Sequence, residues 1–327
     1  MNKTLPRKAN SGKKYLSENG IVAIKDGIKV QVINSQKDLL RKPNWYKVPF
    51  PDGDNYSELK SMVHELQLNT VCEESKCPNI GECWNSRTAT LMVLGNVCTR
   101  ACRFCSVDTG NPNGWLDPNE PGNIAKTVKY MNLGYVVITS VDRDDLEDGG
   151  ASHIANCVLA TKASSPKTTV EVLSPDFQGQ TRDLDILLDS DLDVFSQNLE
   201  TVKRLTGLVR DPRAGYQQTL QVLEYTRNKG FTTKSGLMLG LGETSKEVKQ
   251  AMTDLYNSGI EILTIGQYLR PTKNHLPVKE YISPERFQEY EFLGHQIGIK
   301  EVVAGPLIRS SYRADQSYKR LHGERDD

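Results

Sequence analysis

Six short apolar runs separated by helical patterns constrain this chain more than any other feature. The runs are Leu91 to Val97, Tyr135 to Thr139, Thr169 to Leu173, Asp193 to Phe195, Gly236 to Leu239 and Ile262 to Ile265. Strands alternating with helices read as repeated βα units around a parallel sheet. Between the runs, Val248, Ala251, Met252 and Leu255 make one helical stripe, and Thr244 with Glu247 forms a capping box at its start. Tyr216, Leu220 and Leu223 make another, which Gly230 is placed to stop. This periodicity fits either an open doubly wound sheet or an incomplete barrel. In both, the residues just after each strand line the functional rim. Here those positions hold Cys98, the stretch Ser140 to Asp145, Asn198, and Gly240 to Glu243.

Upstream, residues 1 to about 55 show no sustained period and read as a basic tail followed by an irregular wrapping segment that ends at Pro43 to Pro51. Leu59, Met62, Val63 and Leu66 then fall on one face of a short helix. The chain has 327 residues, enough to bury a full core. Its 41 Lys and Arg balance 41 Asp and Glu, so no global field points to nucleic acid or a membrane surface. No apolar run approaches the length of a membrane span or a secretory signal, so a soluble, cytoplasmic protein is expected. Lys3, Arg7, Lys8, Lys13 and Lys14 precede the first acid, Glu18. They read as a flexible basic tail; the alternative is a transit peptide to the mitochondrial matrix or plastid.

Seven cysteines is an odd number, and six of them lie between Cys72 and Cys105. That clustering argues against a secreted disulfide framework and for metal ligation in a reducing compartment. Cys98, Cys102 and Cys105 have the spacing C-x3-C-x2-C. Three thiolates satisfy three irons of a 4Fe-4S cubane and leave the fourth open to another molecule. With Phe104 before the last cysteine, this triplet resembles that of the radical S-adenosylmethionine superfamily, in which the open iron binds the amino and carboxylate groups of S-adenosylmethionine. The alternative is zinc, which closes with four ligands, and none of the five histidines lies between Cys72 and Cys105. Cys72, Cys77 and Cys83 form a second triplet, C-x4-C-x5-C. By spacing alone it fits a structural cluster or a zinc knuckle equally well. The whole string from Cys72 to Trp84 closely resembles the signature of lipoyl synthases, which bind an auxiliary 4Fe-4S cluster there.

The resemblance runs from about Pro43 to Asp315. It takes in Thr139 to Asp145 with Asp148, Gly149 and Gly150, then Val209 to Ala214, Gly240 to Glu243, Gln267 to Thr272 and Arg309 to Tyr312. It implies an incomplete (β/α)6 TIM-like barrel over residues 91–280. Around it lie the tail and wrapping segment (1–55), an auxiliary-cluster extension (56–90) and a C-terminal extension (281–327). It implies a sulfurtransferase with two 4Fe-4S clusters and two S-adenosylmethionine molecules per product. A 5'-deoxyadenosyl radical would take hydrogen from carbons 6 and 8 of a protein-bound octanoyl-lysine, and sulfur from the auxiliary cluster would trap each carbon radical. The implied partners are octanoylated carrier domains (2-oxoacid dehydrogenase subunits and the glycine cleavage H protein), a low-potential electron donor and iron-sulfur carrier proteins. Implied S-adenosylmethionine contacts are Phe104, Ser140, Asp142, Glu171, Asn198, Gly240, Gly242 and Glu243. Two positions depart from the family pattern: Gln197 replaces a histidine and Val172 a cysteine. Three cysteines leave the auxiliary site one ligand short, and the family places a serine, Ser311, there; otherwise Ser310 and Ser311 simply bond the backbone. Alternative activities are a biotin synthase-like or methylthiotransferase-like sulfur insertion, or a non-catalytic iron-sulfur or zinc protein.

Other side chains read as structural. Gly240 and Gly242 suit a tight turn as well as close approach to a cofactor. Asp142, Asp144 and Asp145 suit positioning better than a hard-metal site. Cys157, beside Ile154 and Val158 on a helical face, reads as a core thiol. His153 and His295 read as structural or surface groups, and Lys273 and His275 as a solvated loop that could touch an acidic carrier.

Overall fold

A computed structural model describes residues 9–17, 19–27, 40–48, 51–66, 68–74, 77–85 and 88–323. The expected parallel sheet is formed by strands β1 (Ala89–Val93), β2 (Tyr135–Ser140), β3 (Thr169–Leu173), β4 (Val194–Ser196), β5 (Thr232–Leu239), β6 (Ile262–Gln267) and β7 (Glu301–Gly305). They hydrogen-bond in chain order, each parallel to its neighbour. A two-residue strand, Asn69–Thr70, adds antiparallel to β1, and the outer strands do not pair with each other, as in an incomplete barrel. Helices Glu120–Tyr130, Ala151–Ser164, Thr181–Leu188, Tyr216–Asn228, Ser245–Asn257 and Pro284–Ile297 fill the six connections. The last of these and β7 carry the βα pattern beyond residue 280, into the segment read from sequence as an extension. Among the described residues no helix is long and apolar enough to cross a membrane.

Alternation along the strands sorts the side chains into two sets. Val136, Ile138, Val170 and Val172 join the main core under the helices. Tyr135, Val137 and Leu173 point the other way and pack against helix Ala314–Leu321 through Ala314 and Tyr318. The capping box at Thr244 and Glu247 is present, and Val248, Ala251, Met252 and Leu255 are all buried. Each contributes on the order of 1–3 kcal/mol through area removed from water. Tyr216, Leu220 and Leu223 are buried as well, with Gly230 just past that helix at φ +95°.

The start of the sheet and the N-terminal segment both differ from the sequence reading. The run Leu91 to Val97 breaks at Leu94 and Gly95, both at positive φ (67° and 82°), so β1 ends at Val93. Cys98 instead ends a two-residue strand, Val97–Cys98, in a second, four-stranded sheet with Asp108–Gly110, Val22–Ile24 and Lys14–Leu16. The N-terminal segment around Lys13 and Lys14 is therefore a hairpin folded onto the cysteine loop, not a tail. Of the basic tail reading, Lys3, Arg7 and Lys8 lie outside the described residues.

Candidate radical site

At the C-terminal ends of the strands a cavity of ≈ 540 Å³ opens among Thr139, Leu173, Gly236, Met238, Thr264 and Gly266, all inward positions of their strands. Cys98, Cys102, Phe104 and Cys105 line it from one side, and Cys77 and Ser310 are also in its wall. The cysteine loop is fixed by its backbone. Thr99 N donates to the Asp142 carbonyl (2.9 Å) and Arg103 N to the Val209 carbonyl (2.8 Å). Ala101 N donates to Asp211 Oδ2 (2.9 Å). Two further amides reach sulfur: Arg100 N to Cys98 Sγ (3.4 Å) and Asp211 N to Cys102 Sγ (3.3 Å).

The thiols suit a polynuclear cluster. A single tetrahedral zinc holds its sulfurs about 3.8 Å apart. Among the described residues, the only three such donor groups within 4.8 Å of one another are Glu120, His153 and Cys157, so neither cysteine triplet converges on one ion. Burial pushes Cys105 up to about 11, Cys102 up to about 12 and Cys98 well above the ordinary thiol range. Thiols so placed keep their protons until a metal supplies the charge that displaces them. The three acids after β2 are held by arginines. Arg100 reaches Asp142 (3.2 Å) and Asp144 (2.8 Å), and Arg143 reaches Asp145 (2.7 Å). Burial raises Asp142 to about 6 despite Arg100. Against burial, Arg213 and the backbone amides hold Asp211 down at about 2.

In the second triplet Cys72 and Cys83 sit on two short helices, Val71–Glu74 and Ile80–Asn85, and Cys77 lies between them. Ser106 Oγ donates to the Glu74 carbonyl (2.7 Å), tying the two cysteine segments together. Burial raises Cys72 to about 11 and lifts Cys77 and Cys83 as well, with Cys72 and Cys77 adding to the rise at Cys83. The Arg309 to Tyr312 stretch is bound to this segment from both sides. Asn79 Nδ2 donates to the Leu307 carbonyl (2.7 Å), Tyr312 Oη to Glu82 Oε1 (2.8 Å), and Arg313 pairs with Glu82 (2.7 Å). Ser310 lies in the cavity wall, whereas Ser311, half-buried, does not.

That C-terminal stretch crosses directly over Gly266 of β6, where an added Cβ would stand 2.1 Å from the Ile308 carbonyl oxygen. Gly266→Ala is expected to cost about 1–3 kcal/mol by overpacking, measured by denaturant unfolding. Wild-type stability would show that the crossing yields freely.

The implied S-adenosylmethionine contacts divide. Phe104, Ser140, Asp142 and Asn198 line the cavity, as does Gln197, one of the two family departures. Among the described residues, Ser140 Oγ, Gln197 Oε1 and Asn198 Oδ1 are buried without a hydrogen-bond partner. Three such groups around one cavity fit a polar ligand that would satisfy them. Glu171 lies outside the cavity wall: fully buried, it takes Tyr135 Oη (2.6 Å) and Lys234 Nζ (2.8 Å), and its Oε1 has no hydrogen-bond partner among the described residues. Gly240, Gly242 and Glu243 also lie outside that wall. The Glu243 carboxylate accepts from the Gly240 and Leu241 amides, and Gly240 at φ +100° is crowded by Gln267 and Glu280. This is a self-satisfied tight turn outside the cavity lining. Val172 is buried on the helix side, so its departure is a core substitution.

Sequence reasoning missed Glu200 and Arg210, which also line the cavity. Arg210 lies in the quoted run Val209 to Ala214, which was the available signal. Cys157 is a core thiol as expected, at 0% exposure. His153 pairs with Glu120 (2.7 Å), whose carboxylate also takes the Leu94 amide (2.8 Å), and His295 is exposed. His275, read as part of a solvated loop, is instead buried at 1% exposure.

Comparison with known proteins agrees with this geometry. A family model described as the radical SAM superfamily matches residues 92–255, and one described as the N-terminal domain of lipoyl synthase of the radical SAM family matches residues 17–77. The lipoyl synthase of Legionella pneumophila (strain Paris) is 56% identical over 318 residues, covering 97% of this chain and 96% of the relative. That of Marinobacter nauticus is 54% identical over 321 residues, covering 97% and 92%. The fold resembles the FeFe-hydrogenase maturase HydG from Carboxydothermus hydrogenoformans, with TM-score 0.53, 13% identity and coverage of 82% and 78%. It also resembles methylornithine synthase (PylB), with TM-score 0.51, 11% identity and coverage of 83% and 94%. With near full-length identity above one half and both family models in place, the chain belongs to the lipoyl synthase family of radical SAM enzymes.

Proposed function

We propose that the protein inserts sulfur at carbons 6 and 8 of an octanoyl chain carried on the lysine of a carrier domain, working in the cytoplasm with a low-potential electron donor and iron-sulfur carrier proteins. The observation that supports this most is that Cys98, Cys102 and Cys105 share one cavity wall with Cys77 of the second triplet. An unactivated methylene C–H bond yields to no side-chain acid or base, so the reactivity belongs to cofactors. When bound, one cubane supplies an electron to the sulfonium of S-adenosylmethionine and the other supplies sulfur.

The chain's own residues then have defined tasks. Cys98, Cys102 and Cys105 would hold the first cluster, leaving one iron for the amino acid end of S-adenosylmethionine. Ser140, Asn198, Gln197 and Asp142 would orient that molecule, and Phe104 would pack beside it. Cys72, Cys77, Cys83 and Ser311 would hold the second cluster. A serine oxygen is a harder ligand than thiolate and is lost on protonation, which suits an iron that must leave. The apolar wall formed by Leu173, Leu237 and Met238 excludes water and confines the alkyl chain.

The test is anaerobic incubation of reconstituted protein with an octanoyl-lysine carrier, S-adenosylmethionine and a reductant, read by mass spectrometry of the carrier. The expected result is two sulfurs added per carrier, no turnover of free octanoate, and about eight irons per chain. Stoichiometric zinc with little iron, or an unchanged carrier despite S-adenosylmethionine cleavage, would overturn the proposal.

A further inference from the structure

Cys105 is held by a hydrogen-bond relay that begins in the N-terminal hairpin segment. Asn274 Nδ2 donates to Ser11 Oγ (3.0 Å), and Ser11 Oγ donates to Thr272 Oγ1 (3.2 Å). Thr272 Oγ1 also accepts from the Asn274 amide (3.2 Å) and lies 2.8 Å from His275 Nδ1. At the far end, His275 Nε2 lies 2.9 Å from the Cys105 carbonyl oxygen. Counting protons assigns the ring. A hydroxyl has one proton and two lone pairs. Thr272 Oγ1 already accepts twice, so its own proton goes to Nδ1, and Nε2 carries the proton that the Cys105 carbonyl requires. Arg270 Nε fixes the backbone of the same loop at the His275 carbonyl (3.0 Å).

The other flank of Cys105 is clamped by the same N-terminal segment. Asp108 takes the Tyr15 hydroxyl, the Lys25 ammonium (3.2 Å) and the Asp26 amide (2.8 Å). We infer that His275, locked in the Nε2–H tautomer by Thr272 and Ser11, is a positioning residue that fixes the Cys105 end of the cysteine loop and makes residues 9–17 and 19–27 part of the radical site. The inference rests on the reading of that loop as a cluster site. The relay sets the path of the Cys105 backbone, and thereby the direction from which its sulfur enters the cavity. A donor on this peptide carbonyl also polarises the ligand segment, one of the ways a protein tunes cluster potential.

The variants discriminate because glutamine can reproduce both contacts of the ring and phenylalanine neither. In His275→Gln the amide nitrogen can donate to the Cys105 carbonyl while its oxygen accepts from Thr272; His275→Phe fills the space without a donor. In metal-free protein carrying isotope-labelled histidine, NMR is expected to show an Nε2–H signal that vanishes in His275→Gln and that stays on Nε2 but exchanges faster with solvent in Thr272→Val, where the carbonyl partner remains and the Thr272 hydroxyl is gone. Amide exchange over residues 105–109 of the metal-free chain should accelerate about tenfold in His275→Phe and stay near wild type in His275→Gln. In reconstituted holoenzyme, the midpoint potential of the cluster on Cys98, Cys102 and Cys105 should shift in His275→Phe and be restored in His275→Gln. An Nδ1–H signal for His275, or wild-type exchange and potential in His275→Phe, would overturn the inference. If His275→Phe does not fold, the wild-type tautomer and the exchange of the Nε2–H signal in Thr272→Val decide: an Nε2–H that exchanges no faster in Thr272→Val than in wild type would overturn the relay. Failure of the carrier assay with the tautomer and exchange results intact would remove the proposed activity and leave the positioning role standing.

Discussion

Alanine at Cys98, Cys102 or Cys105 is expected to reduce reductive cleavage of S-adenosylmethionine at least about a thousandfold, equivalent to about 4 kcal/mol on the barrier. Each variant removes one of three proposed ligands from the site that takes up the electron. The loop itself should survive. The amides of Thr99, Ala101 and Arg103 are held by the Asp142 carbonyl, the Asp211 carboxylate and the Val209 carbonyl; only the weaker bonds from Arg100 N to Cys98 Sγ and from Asp211 N to Cys102 Sγ are lost with a thiol. Melting temperatures should therefore stay within a few degrees of wild type. The readout is 5'-deoxyadenosine and methionine formed with excess reductant, and a wild-type rate in any one variant would exclude that cysteine as a ligand.

The second triplet should fail differently. Cys72→Ala, Cys77→Ala and Cys83→Ala leave the first cysteine loop intact, so S-adenosylmethionine cleavage should persist within about an order of magnitude while lipoyl product falls below detection. Ser311→Ala should share that phenotype, and Ser310→Ala should be milder. Structure makes the serine comparison sharp: both residues ride on one segment tied down by Asn79 and Glu82, so neither change removes those anchors. Lipoyl carrier measured after matched reconstitution decides the matter. Normal product from a cysteine variant would rule out that triplet as the sulfur source, and normal product from Ser311→Ala would remove this serine from the site.

The cysteines were legible because their chemistry depends on short-range spacing. The strands that read poorly were those whose inward face is polar. β5 begins at Thr232, but Thr232 to Ser235 carries no apolar run because Lys234 is paired with Glu171 inside the sheet. Glu171 was named as a contact by family resemblance alone, and its place two residues before Leu173 puts it outside the cavity wall. His275 was misread for another reason. Its neighbours Thr272, Lys273 and Asn274 are polar, and the carbonyl that buries it is 170 positions away. The pairing of Lys14–Leu16 with Val22–Ile24 was hidden in the same way, since these two strands make sense only beside Asp108–Gly110.

The anchoring of the Arg309 to Tyr312 stretch also sets an order of assembly. The bond from Asn79 to Leu307 spans 228 positions and that from Tyr312 to Glu82 spans 230. At roughly 5–20 residues per second of synthesis, such a gap corresponds to roughly ten to fifty seconds. Contacts of this sequence separation also form late because loop closure must come first. During translation, then, Cys72, Cys77 and Cys83 emerge well before the segment that covers them. The nascent chain passes through an interval in which three thiols are open to oxidation or to stray metal, and the yield of correctly loaded protein depends on how reducing the surroundings are during those seconds.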